Sequence, residues 1–169
     1  MAEAVVGVGN PLVGDDGVGA AVVERVASEI DGTVRHAGTN AFLALEAMTG
    51  ADRAVLVDAV SVAEPPGTVV RLPFDGTSFP RGVEVTMHDF SVTQAFRAGG
   101  DAYDLPSSVW LVGVVPASLA PGTELSPTVR ERVPAAAECV RNVLTDRPAE
   151  AATNRPTTDY ATATGEHTE

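Results

Sequence analysis

Apolar residues along the chain fall into two alternating patterns. Ala4 to Val8 is a short apolar run that stops at Gly9-Asn10-Pro11, as a buried strand feeding a loop does. From Asp16 onward the period changes, and Val18, Val22, Val26 and Ile30 recur every fourth residue on one face of an amphipathic helix. Thr33 to His36 reads as a short strand and Ala41 to Met48 as a short helix. Ala54 to Val60 is apolar on both faces and largely β-branched, which marks a buried strand. After the turn at Pro65-Pro66-Gly67, Thr68 to Leu72 reads as a further strand and residues 73–87 as loop. Phe90 to Ala98 is predicted as a helix stopped by Gly99-Gly100, and Val109 to Val115 as a strand ended by Pro116.

Ser126-Pro127 supplies an N-cap and a proline at the first helical position. The helix it opens carries Val129, Val133, Ala136, Val140 and Leu144 on one face, and Pro134 should kink or divide it. Beyond residue 145 the periodicity is lost, so a single domain over 1–145 is expected, followed by a disordered acidic tail over 146–169. Strands that alternate with helices predict an α/β sandwich around a largely parallel sheet.

Composition narrows the chemistry. The 169 residues fit one domain with a buried core. The formal net charge is −12, and every one of the 11 basic residues is Arg. Without lysine there is no Schiff base and no P-loop phosphate grip. An acidic surface also argues against nucleic acid as a partner. One cysteine can form neither an internal disulfide nor a Cys-rich zinc site, which suits a cytoplasmic protein. The N-terminus lacks the basic and apolar regions of a signal peptide, and no run reaches the ~20 apolar residues of a membrane span. Gly-x-Ser-x-Gly is absent, and Cys139 falls close to an apolar helix face, as a core residue does.

The most informative stretch runs from Gly7 to Gly19, reading GVGNPLVGDDGVG. Leu12 stands where a dinucleotide fingerprint requires glycine, and the carboxylates of Asp15 and Asp16 would repel a phosphate. Two readings of that pair remain: caps for the following helix, or ligands for a cation. Asp58 closes the run Val55-Leu56-Val57, and ligands of open parallel sheets bind at the carboxyl ends of strands. If the strands bearing the two motifs are neighbours, Asp16 and Asp58 converge, each raising the other's pKa unless a cation or imidazole compensates. His88, in a polar loop before a helix, can reach the same edge. Two carboxylates and an imidazole suit a divalent transition metal with open positions, although each residue taken singly also fits a structural role.

These motifs resemble the hydrogenase maturation proteases, the endopeptidases that trim the large subunit of nickel–iron hydrogenases. The matching segments are Gly7 to Gly19, Val57-Asp58-Ala59-Val60, Thr86-Met87-His88-Asp89, and Leu111 to Pro116 with Leu125 to Val129. They occur in the family's order and span residues 4 to about 144. The resemblance implies a three-layer α/β/α sandwich with a five-stranded, largely parallel twisted sheet. It further implies a metal-dependent endopeptidase, of aspartic or metallo type, that removes a C-terminal peptide from the nickel-loaded large-subunit precursor. Asp16, Asp58 and His88 are the implied metal-binding and catalytic positions, the nickel being supplied by the substrate, and the protein is expected to act as a monomer. One departure stands out: the family's Asp-Gly-Gly-Thr segment is here His36-Ala37-Gly38-Thr39, so His36, Gly38 and Thr39 are further candidates. Two other classes compete. A nickel-binding chaperone would keep the metal trio without cleaving. The Gly-Val-Gly-Asn-Pro opening also resembles peptidyl-tRNA hydrolases, but those need a basic surface and an Arg-His-Asn motif that this chain lacks.

Overall fold

A computed structural model describes residues 1–74, 84–85 and 92–146. Strand β1 (Glu3–Gly7) leads through a glycine loop and a single 3-10 turn (Gly14–Gly17) into helix α1 (Val18–Val26). Then follow β2 (Thr33–His36), α2 (Ala41–Met48), β3 (Arg53–Ser61), β4 (Val69–Phe74), β5 (Glu84–Val85) and α3 (Val92–Gly99). Strand β6 (Ser108–Val114), α4 (Pro127–Arg130) and α5 (Val133–Thr145) complete the described chain. The sheet order is β2-β1-β3-β6-β4, with β5 pairing to the end of β3. β1, β2, β3 and β6 are mutually parallel, whereas β4 runs antiparallel to β6. The expected α/β/α sandwich with a five-stranded, largely parallel sheet is therefore the observed one.

Both faces of the sheet are covered because alternate strand residues point to opposite sides. Ala54, Leu56 and Val60 of β3 join Ala44, Leu45 and Met48 of α2 and Phe96 of α3 in one core. Val55, Val57 and Ala59 join Val18 and Val22 of α1 and Val140 of α5 in the other. Asp58 occupies the position between Leu56 and Val60, so a carboxylate interrupts the apolar stripe that faces α2 and α3. On the opposite face α1 approaches the sheet backbone closely. A side chain on Gly19 would meet the Val57 and Val8 carbonyl oxygens at 2.5 and 2.6 Å, a separation that only glycine tolerates.

Side chains cap two helices, at Ser126 as the sequence predicts and at Asn40 in addition. The Asn40 carboxamide accepts from Phe42 and Leu43 N at the start of α2, and the Ser126 hydroxyl accepts from Val129 N at the start of α4. Pro134 does divide the last helical stretch, standing in the first turn of α5. The end of α5 is held by buried Arg53, whose Nη1 donates to the carbonyls of Val143, Leu144 and Asp146 at 3.0, 3.1 and 2.6 Å.

Two expectations need correction. The region 73–87 is not all loop, since Pro73 and Phe74 extend β4 opposite Trp110 and Val109, and Glu84–Val85 pairs with Ser61 and Val60. β4 is an edge strand, where proline's missing N–H costs no ladder bond. α1 also stops at Val26, and Ile30 packs partly buried against the α1–α5 side from beyond the helix. The tail from residue 147 lies outside the described residues. Among the described residues, no helix is long and apolar enough to cross a membrane.

Candidate active site

Parallel pairing sets the carboxyl ends of β1 and β2 beside Val57, within β3, with Gly7 opposite both His36 and Val57. The ladder continues past the strands. Val8 N donates to Val57 O at 2.9 Å, and Gly9 N to Gly38 O at 2.8 Å. Gly9 is the pivot of the site. Its φ of +114° is a glycine conformation, and a Cβ there would strike the Asp16 carbonyl and stand 3.1 Å from Asp58 Oδ1. The loop can thus lie flat between the two aspartates only because residue 9 has no side chain.

Asp16 is fully buried, and its Oδ2 accepts from Asn10 N at 2.7 Å. Asp58 is equally buried. Its Oδ1 accepts from Ala59 N at 2.8 Å, whereas Oδ2 has no hydrogen-bond partner. Desolvation, followed by the nearby Asp16 charge, pushes the Asp58 carboxyl well above the ordinary value of 3.8, and the single bond from Ala59 only partly offsets this. Sequence reasoning placed these two residues together, and the structure does so around Gly9.

His36 ends β2 at the same edge. Its Nε2 is buried with no partner. Burial holds its pKa below the ordinary value, against opposing pulls from a hydrogen bond to the Gly9 backbone and from the Asp16 charge. Its imidazole is therefore neutral at pH 7, with a nitrogen lone pair or N–H unused. Of the other candidates, Gly38 contributes a backbone carbonyl from a φ of +61°, and Thr39 is exposed in the turn before α2. His88 lies outside the described residues. Among the described residues, no three His, Cys, Asp or Glu side chains form a set able to hold a metal.

The pair Asp15-Asp16 does not cap the following helix. The N-cap of α1 is Gly17, and no side chain bonds there. Asp15 instead faces the loop after β6. Its Oδ2 accepts from Ala117 N, Ser118 N and the Ser126 hydroxyl at 2.8, 2.9 and 2.8 Å, and Oδ1 from Ser126 N at 2.7 Å. Burial raises its pKa, but those donors outweigh burial and leave it below 3.8. This role escaped sequence reasoning because its partners lie 102 to 111 positions away. The two adjacent carboxylates thus do opposite things, Asp15 saturated with donors and Asp16 turned toward an under-satisfied Asp58.

Orphaned buried polar atoms are rare, and a carboxylate oxygen and an imidazole nitrogen orphaned around one glycine point to a site that completes its bonding with something else. Two buried carboxylates at this edge of the sheet are oxygen donors of the kind that suits a divalent cation.

Comparison with known proteins places the chain in a family. Residues 20–143 match the family model described as hydrogenase maturation protease. The hydrogenase 2 maturation protease of Escherichia coli (strain K12) is 29% identical over 157 residues, covering 87% of this chain and 93% of that protein. Among solved structures, the hydrogenase maturating endopeptidase HybD from E. coli superposes with a TM-score of 0.65 at 30% identity, over 85% of this chain and 92% of that one. A hydrogenase 2 maturation peptidase from a Thaumarchaeota archaeon superposes with a TM-score of 0.61 at 27% identity, over 85% and 98%. With its fold, its ordered motifs and the matched segment in agreement, this chain belongs to the hydrogenase maturation protease family.

Proposed function

We propose that this protein is the endopeptidase that removes a C-terminal peptide from the large-subunit precursor of a nickel–iron hydrogenase, and that the precursor's own nickel is what it recognises. The observation that carries the reading is the Asp16–Asp58 pair. Two buried carboxylates beside one glycine, one oxygen unpartnered, are costly as pure structure and make sense as an acceptor for a cation. Asp16 and Asp58 supply two hard oxygens, and His88 is assigned the third position from its motif Thr86-Met87-His88-Asp89. Binding the substrate's metal at these side chains fixes the scissile peptide at the carboxyl edge of the sheet, so that positioning provides much of the rate. A carboxylate of the pair that accepts a proton from water generates the attacking oxygen, which suits an aspartic or metallo type of hydrolysis. The neutral His36, standing where the family has aspartate, leaves the negative charge at the site to the two aspartates.

The reading also implies a soluble, monomeric enzyme working in the cytoplasm, where the precursor is made. A gel assay on nickel-loaded precursor tests it. The expected result is a shortened large subunit with the wild-type chain. Intact precursor held in a stable complex would instead mark a metal-binding chaperone. Asp16→Ala and His88→Ala are each expected to abolish trimming, a loss of at least about 100-fold, while the far-UV circular dichroism stays that of the folded chain. Normal trimming by both variants would rule out metal docking at this site.

A further inference from the structure

Beside the aspartates the molecule presents an apolar surface whose construction suggests its occupant. Leu12 is 62% exposed and Leu119 is 39% exposed, two of only four large hydrophobic residues so exposed among the described residues. Pro11, Ala120 and Pro121 are exposed around them. Neither Val8–Gly14 nor Val115–Thr123 contains a charged residue, although the chain as a whole carries −12. Loops at a protein surface usually carry charged side chains, and these two carry none.

They are held to one another by backbone and by Asp15. Gly14 N donates to Gly122 O at 3.0 Å, Gly122 N to Leu12 O at 2.9 Å, and Asp15 N to Ser118 O at 3.0 Å. The Asp15 carboxylate adds the bonds from Ala117, Ser118 and Ser126 described above. The same unit is tied to the catalytic edge, because Asn10 receives Leu12 N on its side-chain oxygen at 3.0 Å while its own N–H donates to Asp16 Oδ2. Leucines fixed on a rigid double loop lose little conformational freedom on binding, which favours association.

We propose that Leu12 and Leu119 form a preorganised platform for an uncharged, apolar segment of the precursor next to its metal. This rests on the function proposed above and specifies what the enzyme grips besides the metal. Continuity decides the occupant: the loop that carries Leu12 is joined through Asn10 to Asp16, so a polypeptide whose metal docks at Asp16 and Asp58 has this loop beside it.

The test uses the full chain carrying Leu12→Asp and Leu119→Asp, singly and together, with nickel-loaded precursor. The double variant is expected to raise the half-saturating precursor concentration about 10- to 100-fold while the melting temperature stays within a degree or two of wild type. Leu12→Met with Leu119→Met is expected to restore near-normal saturation. Unchanged saturation in the double variant overturns the proposal. So does sedimentation that shows a wild-type dimer and a monomeric double variant, because the leucines would then serve self-association. If wild-type chain trims nothing, the protease reading fails by itself. Retention of precursor on immobilised protein then decides the platform, its loss in the double variant supporting it and equal retention overturning it.

Discussion

The Asp58→Asn variant is expected to melt at a higher temperature than the wild-type chain at pH 7 and to trim no detectable precursor. Asparagine keeps the shape and the carbonyl oxygen that accepts from Ala59 N, so the local geometry survives. It removes a charge that is fully buried, unpartnered at Oδ2 and repelled by Asp16. A gain of about 1 kcal/mol corresponds to about 2–4 °C for a chain of this size. The gain has a pH signature. The folded-state pKa of Asp58 lies above its ordinary value, so its carboxyl costs nothing below about 3.8 and destabilises increasingly as pH rises beyond it. Thermal melts of the two proteins should therefore nearly coincide at pH 4 and separate toward pH 7. Activity moves the other way, with a loss of at least about 100-fold, because an amide is a poor cation ligand and no base. A variant less stable than wild type at pH 7, or one that still trims, would remove Asp58 from the site.

Asp15→Ala is expected to produce the largest loss of stability of any single change at the edge. It strands three backbone donors and one hydroxyl that now converge on a buried carboxylate. Partial rehydration of exposed Ala117 and Ser118 softens the cost, which leaves about 3 kcal/mol, or about 6–12 °C in melting temperature. Here the sign of the pH dependence is reversed. The Asp15 carboxyl is held below its ordinary value, so its contribution is complete above about pH 4 and is lost as pH falls through the lowered pKa. Denaturant melts at pH 7 and pH 3 check both features, since the gap between variant and wild type should be wide at pH 7 and narrower at pH 3. A melting temperature unchanged at pH 7 would show that the loops hold together without Asp15. The neighbours Asp15 and Asp58 thus push acid stability in opposite directions, one through hydrogen bonds gained and the other through hydration lost.

How much of this was written in the sequence depends on how far each signal reaches. β1, β3 and β6 were legible because buried parallel strands are continuous apolar runs, and α1 because its valines recur at helical spacing. Asp58 announced itself as a carboxylate that ends such a run, and Asp16 as one of a pair that follows a glycine loop off the first strand. The division at Pro134 followed from proline's missing N–H. What stayed hidden depends on contacts made across the fold. Asp15 looked like a helix cap, and only the return of the chain at Ala117 to Ser126 shows what it binds. Pro73 looked like a strand breaker, and only the edge position of β4 permits it. Arg53 carried no signal in the sequence, and only the arrival of α5 gives it partners. The unpartnered Nε2 of His36 could not be read from a substitution in a motif, because burial, not residue type, leaves it unsatisfied.

The central claim is that this family member reads the metal of its substrate before it cuts. Mass spectrometry of the large subunit, after incubation with wild-type chain, compares nickel-loaded with nickel-free precursor most directly. Loss of the C-terminal peptide is predicted from the loaded precursor alone. Equal trimming of both precursors, or of neither, would contradict recognition through Asp16 and Asp58.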